Sequence, residues 1–136
     1  METKMEKKLD DLLQEADWKE EKHVPAIDCP NEVSRNELFE VNVGLGKEIS
    51  HPNTTEHHIK WIELYFLPEN EKFPYQIGRY EFNAHGASTD GADTSTVYTH
   101  HNVKTEFKTG KPGSILAMAY CNIHGLWQSS KPIELK

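Results

Sequence analysis

Cysteine and histidine residues with the spacing of metal ligands are the most informative feature of this 136-residue chain. Cys121 and His124 stand three residues apart in a Cys-Asn-Ile-His-Gly segment near the C-terminus. Further imidazoles lie upstream, with His23 in Glu-Lys-His-Val-Pro and His51 and His57 in His-Pro-Asn-Thr-Thr-Glu-His-His. One soft thiolate with several neutral imidazoles favours iron, copper, zinc or nickel over magnesium and calcium. The pattern therefore indicates a single transition-metal centre.

The donor set also constrains what such a centre would attract. A divalent ion held by one thiolate and neutral imidazoles keeps a net positive charge, which attracts anions. If the four imidazoles lie in a plane with the thiolate along the axis, the position opposite the sulfur is open, and the thiolate pushes electron density toward it. We expect the backbone N–H groups of Asn122 and Ile123 to donate to the sulfur and tune this effect.

The other histidines and the second cysteine lack this motif context. His58 directly follows a candidate ligand, and neighbours on an extended chain point to opposite sides, so we expect a structural role for it. His85, His100 and His101 are interpreted as loop residues. Cys29 is expected to be a small packing residue without a disulfide, since an intracellular chain keeps its thiols reduced.

Composition and charge exclude several classes of partner. The formal charge of −7, from 22 acidic and 15 basic residues, argues against a general binder of nucleic acid or of anionic membranes. No apolar run approaches the ~20 residues of a membrane span, and the charged N-terminus does not have the pattern of a secretory signal. We therefore expect a cytoplasmic protein that attracts anions only through a local positive patch.

The first twenty residues differ from the rest of the chain. Apolar residues recur there at spacings of three and four among charged residues, a pattern typical of an amphipathic helix: Met5, Leu9, Leu12, Leu13 and Ala16. We expect residues 1–20 to form a helical extension whose apolar side packs on the body of the domain or on a neighbouring subunit.

After residue 30 the hydrophobic pattern changes to period two, as in half-buried strands. Short segments of this kind recur without intervening helices: residues 39–45, 58–67, 75–83, 94–99, 103–108, 114–121 and 126–135. This spacing favours an all-β antiparallel sandwich over an α/β fold, within a single domain at residues 1–136. We expect the large aromatic residues to lie in the core or at interfaces: Trp61, Phe82, Tyr120 and Trp127.

The three ligand-bearing segments, together with residues 78–86, resemble the one-iron superoxide reductases, or neelaredoxins, the short class of the desulfoferrodoxin superfamily. The resemblance covers nearly all of the chain after residue 20. It implies an immunoglobulin-like β-sandwich that holds a mononuclear iron. It also implies a ligand set, with four equatorial imidazoles and one axial thiolate: His23, His51, His57, His124 and Cys121.

The same resemblance implies an activity and further roles. Ferrous iron would give one electron to superoxide, and uptake of two protons would yield hydrogen peroxide without dioxygen. Glu21 would occupy the sixth position of the oxidised iron, and Lys22 would attract superoxide. Lys22 is a local cation next to a candidate ligand, so its charge can offset the acidic field of the chain. An external electron donor, by analogy a rubredoxin, and a homotetramer are also implied.

Two other classes of metal protein remain open from the residues alone. A cupredoxin-like copper carrier is also a β-sandwich, but it uses two histidines, one cysteine and a weak axial methionine. Met118 lies three residues before Cys121, a poor position for that ligand, and four candidate histidines exceed the copper pattern. A structural zinc module would be tetrahedral and closed, which five candidate ligands do not match.

Overall fold

Two β-sheets make up nearly all the regular structure in this computed structural model, which describes residues 6–136. The elements are α1 (Leu9–Leu12), β1 (Ala26–Asp28), β2 (Glu32–Val33), β3 (Phe39–Gly44), β4 (Ile59–Pro68), β5 (Tyr75–Glu81), β6 (Asn102–Phe107), β7 (Gly113–Cys121) and β8 (Gly125–Leu135). The smaller sheet has the strand order β1-β3-β6 and the larger one β2-β8-β7-β4-β5. All neighbouring strands are antiparallel except β2 and β8, which run parallel.

The two sheets share one hydrophobic core. Val41 and Val43 of β3 belong to the same buried cluster as Ile62 and Leu64 of β4 and Ile115 of β7. Each of these side chains is fully buried. Burial of apolar surface between two sheets is the dominant stabilising term for such a sandwich. The predicted all-β antiparallel sandwich is therefore confirmed.

Alternation along β7 places the candidate thiolate ligand at one end of this core. The residues of β7 are alternately buried and half-buried, and Ala117, Ala119 and Cys121 all point inward. Because side chains on a strand have period two, Cys121 is the last inward position of the strand, and it is 1% exposed. Its backbone pairs with Ile59, so the start of β4 lies at the same end of the sandwich.

A short N-terminal helix is present, but it covers far less of the chain than the apolar spacing predicts. It runs only over Leu9–Leu12 and buries no residue, and Leu9 and Leu12 are 63% and 51% exposed. A single helical turn without tertiary packing gains little stability, which explains its shortness. The segment after this helix packs on the sheet through its backbone instead. The N–H of Gln14 donates to the carbonyl of Leu126, and the carbonyl of Gln14 accepts from the N–H of Gln128. Met5 lies outside the described residues.

The strand predicted at residues 94–99 is wrong. The connection between β5 and β6 contains only isolated bridges, such as the one that joins His85 to Tyr98. The backbone N–H groups of Thr94 and Ser95 both donate to the carbonyl of Gly86, at 2.8 and 3.0 Å, which folds the segment back on itself. No helix among residues 6–136 is long and apolar enough to cross a membrane.

Candidate metal centre

The candidate ligands come from three connections that meet at one end of the sandwich. His23 lies in the turn just before β1, and His51 and His57 lie in the connection between β3 and β4. Cys121 ends β7, and His124 lies in the tight turn that leads to β8. Antiparallel pairing of β4 with β7 brings the second and third of these segments side by side.

All five side chains predicted as metal ligands lie close together. The ligand atoms of His23, His51, His57 and Cys121 are within 4.8 Å of one another. Nδ1 of His124 is 3.1 Å from Nε2 of His23 and 3.8 Å from the sulfur of Cys121. His124 is the most exposed member, whereas His23, His51 and Cys121 are buried. The cluster is therefore buried on one side and open to solvent beside His124.

Two buried nitrogens in this cluster have no partner in the protein. Nδ1 of His51 is 2.6 Å from the carbonyl oxygen of Pro52, which can only accept, so Nδ1 carries the proton and donates. This leaves Nε2 of His51 as a bare lone pair. Nε2 of His51 and Nε2 of His57 are both buried without a hydrogen-bond partner. Buried polar atoms are almost always paired, and a metal ion would satisfy both, so the residues fit a bound metal.

Burial also keeps the imidazoles neutral, as metal ligands must be. It lowers the pKa of His51 to about 4. Burial likewise lowers the pKa of His57, with help from the nearby charges of His124, His23 and Lys22. The pKa of His23 is lowered by burial despite the opposing effect of Glu21. These rings therefore present unprotonated nitrogens at neutral pH.

Glu21 contacts a candidate ligand from the side away from the cluster. Its Oε1 accepts hydrogen bonds from Nδ1 of His23 at 2.7 Å and from the backbone N–H of His23 at 3.1 Å. Burial raises the pKa of Glu21, but these hydrogen bonds and the charges of His23 and Lys22 outweigh it and lower the pKa. The ionised carboxylate fixes the proton on Nδ1 and leaves Nε2 of His23 free for the centre. Its predicted binding to oxidised iron stays a prediction.

Lys22 is half-buried beside the cluster. Its side chain forms no ion pair with an acidic residue in the described part of the chain. Its charge nevertheless acts on the site, since it contributes to the lowered pKa of His23 and of His57. An unneutralised cation therefore stands next to the candidate centre.

The hydrogen bonding of the sulfur differs from the prediction. The backbone N–H of His124 donates to the sulfur of Cys121 at 3.4 Å. The N–H of Asn122 donates instead to the carbonyl of His58 at 3.2 Å, and no bond from Ile123 to the sulfur occurs within residues 6–136. The reason is the side chain of Asn122, which accepts from His58 N–H at 2.9 Å and turns the peptide toward that residue.

Two aromatic rings support the candidate ligands, and one of them, Trp127, is buried as the sequence predicts. Trp127 stacks on His23 with centroids 5.1 Å apart, and its Nε1 donates to the carbonyl of His124. His101, interpreted as a loop residue, is buried and packs edge-on against His51 at 5.7 Å. The alternation that makes Trp127 inward-facing could have indicated its position. His58, for which a structural role is expected, stacks on His85, and its Nδ1 lies 2.9 Å from the carbonyl oxygen of Thr54.

The fold and the site together define a β-sandwich protein with a cluster of candidate His and Cys metal ligands at one end of its core. Residues 15–130 match the protein-family model described as desulfoferrodoxin. This match covers most of the chain, and the chain belongs to the desulfoferrodoxin family.

Relatives of nearly equal length support this assignment. The chain is 54% identical over 129 residues to the neelaredoxin of Megalodesulfovibrio gigas, with 95% of this chain and 99% of that protein covered. It is 53% identical over 126 residues to the superoxide reductase of Pyrococcus furiosus, which covers 93% of this chain and 99% of the relative. The solved superoxide reductase (neelaredoxin) of Archaeoglobus fulgidus in the reduced form gives a TM-score of 0.85 at 56% identity and covers 91% and 99% of the two chains.

Proposed function

We propose that this protein is a superoxide reductase, in which a mononuclear iron reduces superoxide by one electron to hydrogen peroxide without forming dioxygen. One observation carries the proposal: five soft and borderline donors converge, two of them buried nitrogens without a protein partner. The chain is 53% identical to a protein named superoxide reductase. The role is defence against superoxide.

The donor chemistry supports iron among the metals that this set can hold. We assign five ligands: His23, His51, His57, His124 and Cys121. Zinc has no redox chemistry, so a one-electron reaction needs one of the other metals that thiolate and imidazole ligands prefer, such as iron. When bound, the iron supplies the electron that superoxide accepts, and an external donor must replace it.

The remaining steps belong to the residues around the centre. Lys22 supplies the positive charge that draws an anion toward the site, in a chain whose formal charge is −7. The exposed edge beside His124 gives superoxide and solvent protons access. Glu21 holds the Nδ1 proton of His23, which keeps the opposite nitrogen of the ring available.

The proposed partners are a rubredoxin-type electron donor and further copies of this chain, as a homotetramer. An aromatic pair on the outer face of the larger sheet supports oligomer formation. Trp61 and Tyr120 stack there with centroids 5.8 Å apart, and Arg79 lies 4.7 Å above the Trp61 ring. A solvated sheet face is usually polar. The core that both sheets share supports one domain over residues 1–136.

The copper-carrier alternative is not supported. Met118 is separated from Cys121 by an odd number of positions on β7, so the two side chains point to opposite faces of the sheet. The register pairs Met118 with Glu63 and Gln128, away from the cluster. The weak axial methionine of a cupredoxin therefore has no counterpart at this position.

The deciding experiment counts products. Protein loaded anaerobically with ferrous iron, with the metal content checked, is mixed with a known amount of superoxide. We expect one peroxide per superoxide and no dioxygen. Half that peroxide with evolved dioxygen would indicate dismutation, and a rate equal to that of the zinc-loaded control would contradict the proposal.

A further inference from the structure

The loop that carries His51 and His57 has little structure of its own. Residues 45–58, between β3 and β4, contain neither helix nor strand. One local turn closes it where Thr54 N–H donates to the carbonyl of His57 at 2.9 Å. Metal ligands must be held at fixed spacing, so a loop of this kind needs support from outside.

One of these outside contacts is a reciprocal pair between Thr55 and Asp93. Oδ1 of Asp93 accepts from the backbone N–H of Thr55 at 2.8 Å, and the N–H of Asp93 donates to Oγ1 of Thr55 at 3.1 Å. The same hydroxyl donates to the carbonyl of His85 at 3.0 Å. A hydrogen bond to a carboxylate is about twice as strong as a neutral one. The backbone N–H and the hydroxyl of Thr55 are thus both held by the β5–β6 connection.

A second set of contacts ties Asn53 to the same connection. Nδ1 of His85 is 2.9 Å from Oδ1 of Asn53, whose Nδ2 donates to the carbonyl of Thr99 at 2.7 Å. Asn53 and Thr55 both lie between the two loop histidines. The β5–β6 connection therefore holds the loop at two points within the span that separates His51 from His57.

The backbone around Asp93 adopts conformations that serve this contact. Asp93 has a left-handed φ of 56°, and Gly86 has a φ of 99°. A Cβ added at Gly86 would lie 2.9 Å from Oδ1 of Asp93 and 2.7 Å from the Tyr98 hydroxyl. Gly86 thus leaves room for the carboxylate that reaches Thr55.

We propose that Asp93 is a positioning residue of the metal centre, through a latch formed by Asn53, Thr55, His85 and Asp93. The inference rests on the metal centre proposed above. The latch pre-orders the loop, so that binding of metal does not have to supply the free energy of ordering it. Its loss makes the loop histidines mobile and raises the rate at which metal leaves.

Two substitutions at Asp93 separate the hydrogen bond from the backbone. Asp93→Gly removes the acceptor but tolerates the left-handed φ, whereas Asp93→Asn keeps both an oxygen acceptor and that tolerance. We measure the rate at which ferrous protein loses iron to an excess of chelator under anaerobic conditions. Asp93→Gly is expected to lose iron about tenfold faster than wild type, and Asp93→Asn at close to the wild-type rate.

Asp90 offers a matched control in the same connection. Its carboxylate is exposed and accepts no hydrogen bond within residues 6–136. Asp90→Gly therefore removes the same charge and adds the same glycine flexibility as Asp93→Gly, but breaks no side-chain hydrogen bond. This variant is expected to retain iron like wild type. Thr55→Val serves as a second test, since it removes only the hydroxyl bonds and should accelerate loss to a smaller extent.

Distinct outcomes overturn the latch and the metal centre. Equal iron loss from wild type and Asp93→Gly would overturn the latch alone. The latch would also be overturned if Asp93→Asn lost iron as fast as Asp93→Gly. The same holds if iron loss is faster only because the metal-free Asp93→Gly variant has a lower melting temperature. A wild-type protein that retains no iron would overturn the metal centre, and the latch with it.

Discussion

His51 illustrates how one residue presents a single nitrogen to the proposed metal centre. The carbonyl of Pro52 fixes the proton on Nδ1, and burial leaves Nε2 without any partner. A neutral ring with a defined tautomer is a better ligand than one that must lose a proton first. The residue type follows from the sequence, but the choice of nitrogen depends on a neighbour whose carbonyl direction only the structure reveals.

Glu21 allows a test that separates two roles of one carboxylate. We expect Glu21→Ala to increase the rate of iron loss about tenfold, because Nδ1 of His23 loses its acceptor and the ring its orientation. Glu21→Gln keeps a carbonyl acceptor, so it should retain iron nearly as well as wild type. Chelator competition under anaerobic conditions measures both variants.

The ferric absorption spectrum of Glu21→Gln gives the second readout. If the carboxylate binds the oxidised iron, this variant changes the spectrum while it retains the metal. An unchanged spectrum would remove that role and leave Glu21 as a partner of His23 alone.

Lys22 is expected to act on the rate of superoxide capture and on little else. Lys22→Ala should slow capture several-fold to tenfold at low ionic strength, because the site loses its nearby cation in an acidic protein. Stopped-flow or pulse-radiolysis rates at several salt concentrations measure the effect. Lys19→Ala is the control, since Lys19 is exposed and lies over Trp18. Equal rates for both variants would contradict a steering role.

The turn between β7 and β8 is the element that joins two of the segments that carry the proposed ligands. Asn122 donates from its backbone to His58 and from its side chain to Glu56, at 3.2 and 2.8 Å, and accepts from His58 N–H. These three bonds hold Glu56 and His58, the residues on either side of His57. The spacing of Cys121 and His124 predicts the cluster, but nothing in the spacing predicts that Asn122 joins the two segments.

Gly125 completes this turn in a conformation that other residues avoid. Its φ is 83°, and a Cβ added there would meet nothing within 4 Å, so a substitution costs backbone strain alone. We expect Gly125→Ala to lower the free energy of unfolding by about 1–2 kcal/mol. Gly125→Asn should cost less, because Asn tolerates the left-handed region. Equal melting temperatures for both variants would contradict this account.

Prediction from sequence succeeds where the pattern is tied to burial and fails where contacts are not local. The alternation of Ala117, Ala119 and Cys121 follows from one buried face, and it correctly predicts β7. Residues 94–99 are rich in β-branched residues, which favour strands, yet the backbone N–H groups of Thr94 and Ser95 donate to Gly86 rather than to a strand. The apolar spacing near Leu9 predicts a long helix, but Leu9 and Leu12 stay exposed among the described residues 6–136.

At the scale of the whole molecule, two buried imidazoles make the metal-free protein sensitive to acid. Burial lowers the pKa of His51 to about 4 and that of His101, with smaller effects of His100 and His85, to about 4 as well, from 6.5. Between these values the unfolded chain binds more protons than the folded one. Stability is therefore fully present above pH 6.5 and falls as the pH drops toward 4.

We expect each ring to contribute on the order of 2–3 kcal/mol to this loss in the metal-free protein. Thermal unfolding at a series of pH values across that window measures it. His101→Phe keeps a ring of similar shape that cannot be protonated, so its stability should fall less steeply with acid than that of wild type. His100→Phe controls for the added apolar ring, because His100 is its exposed neighbour. If His101→Phe and wild type lost stability equally between pH 6.5 and 4, the acid sensitivity would have to arise elsewhere in the fold.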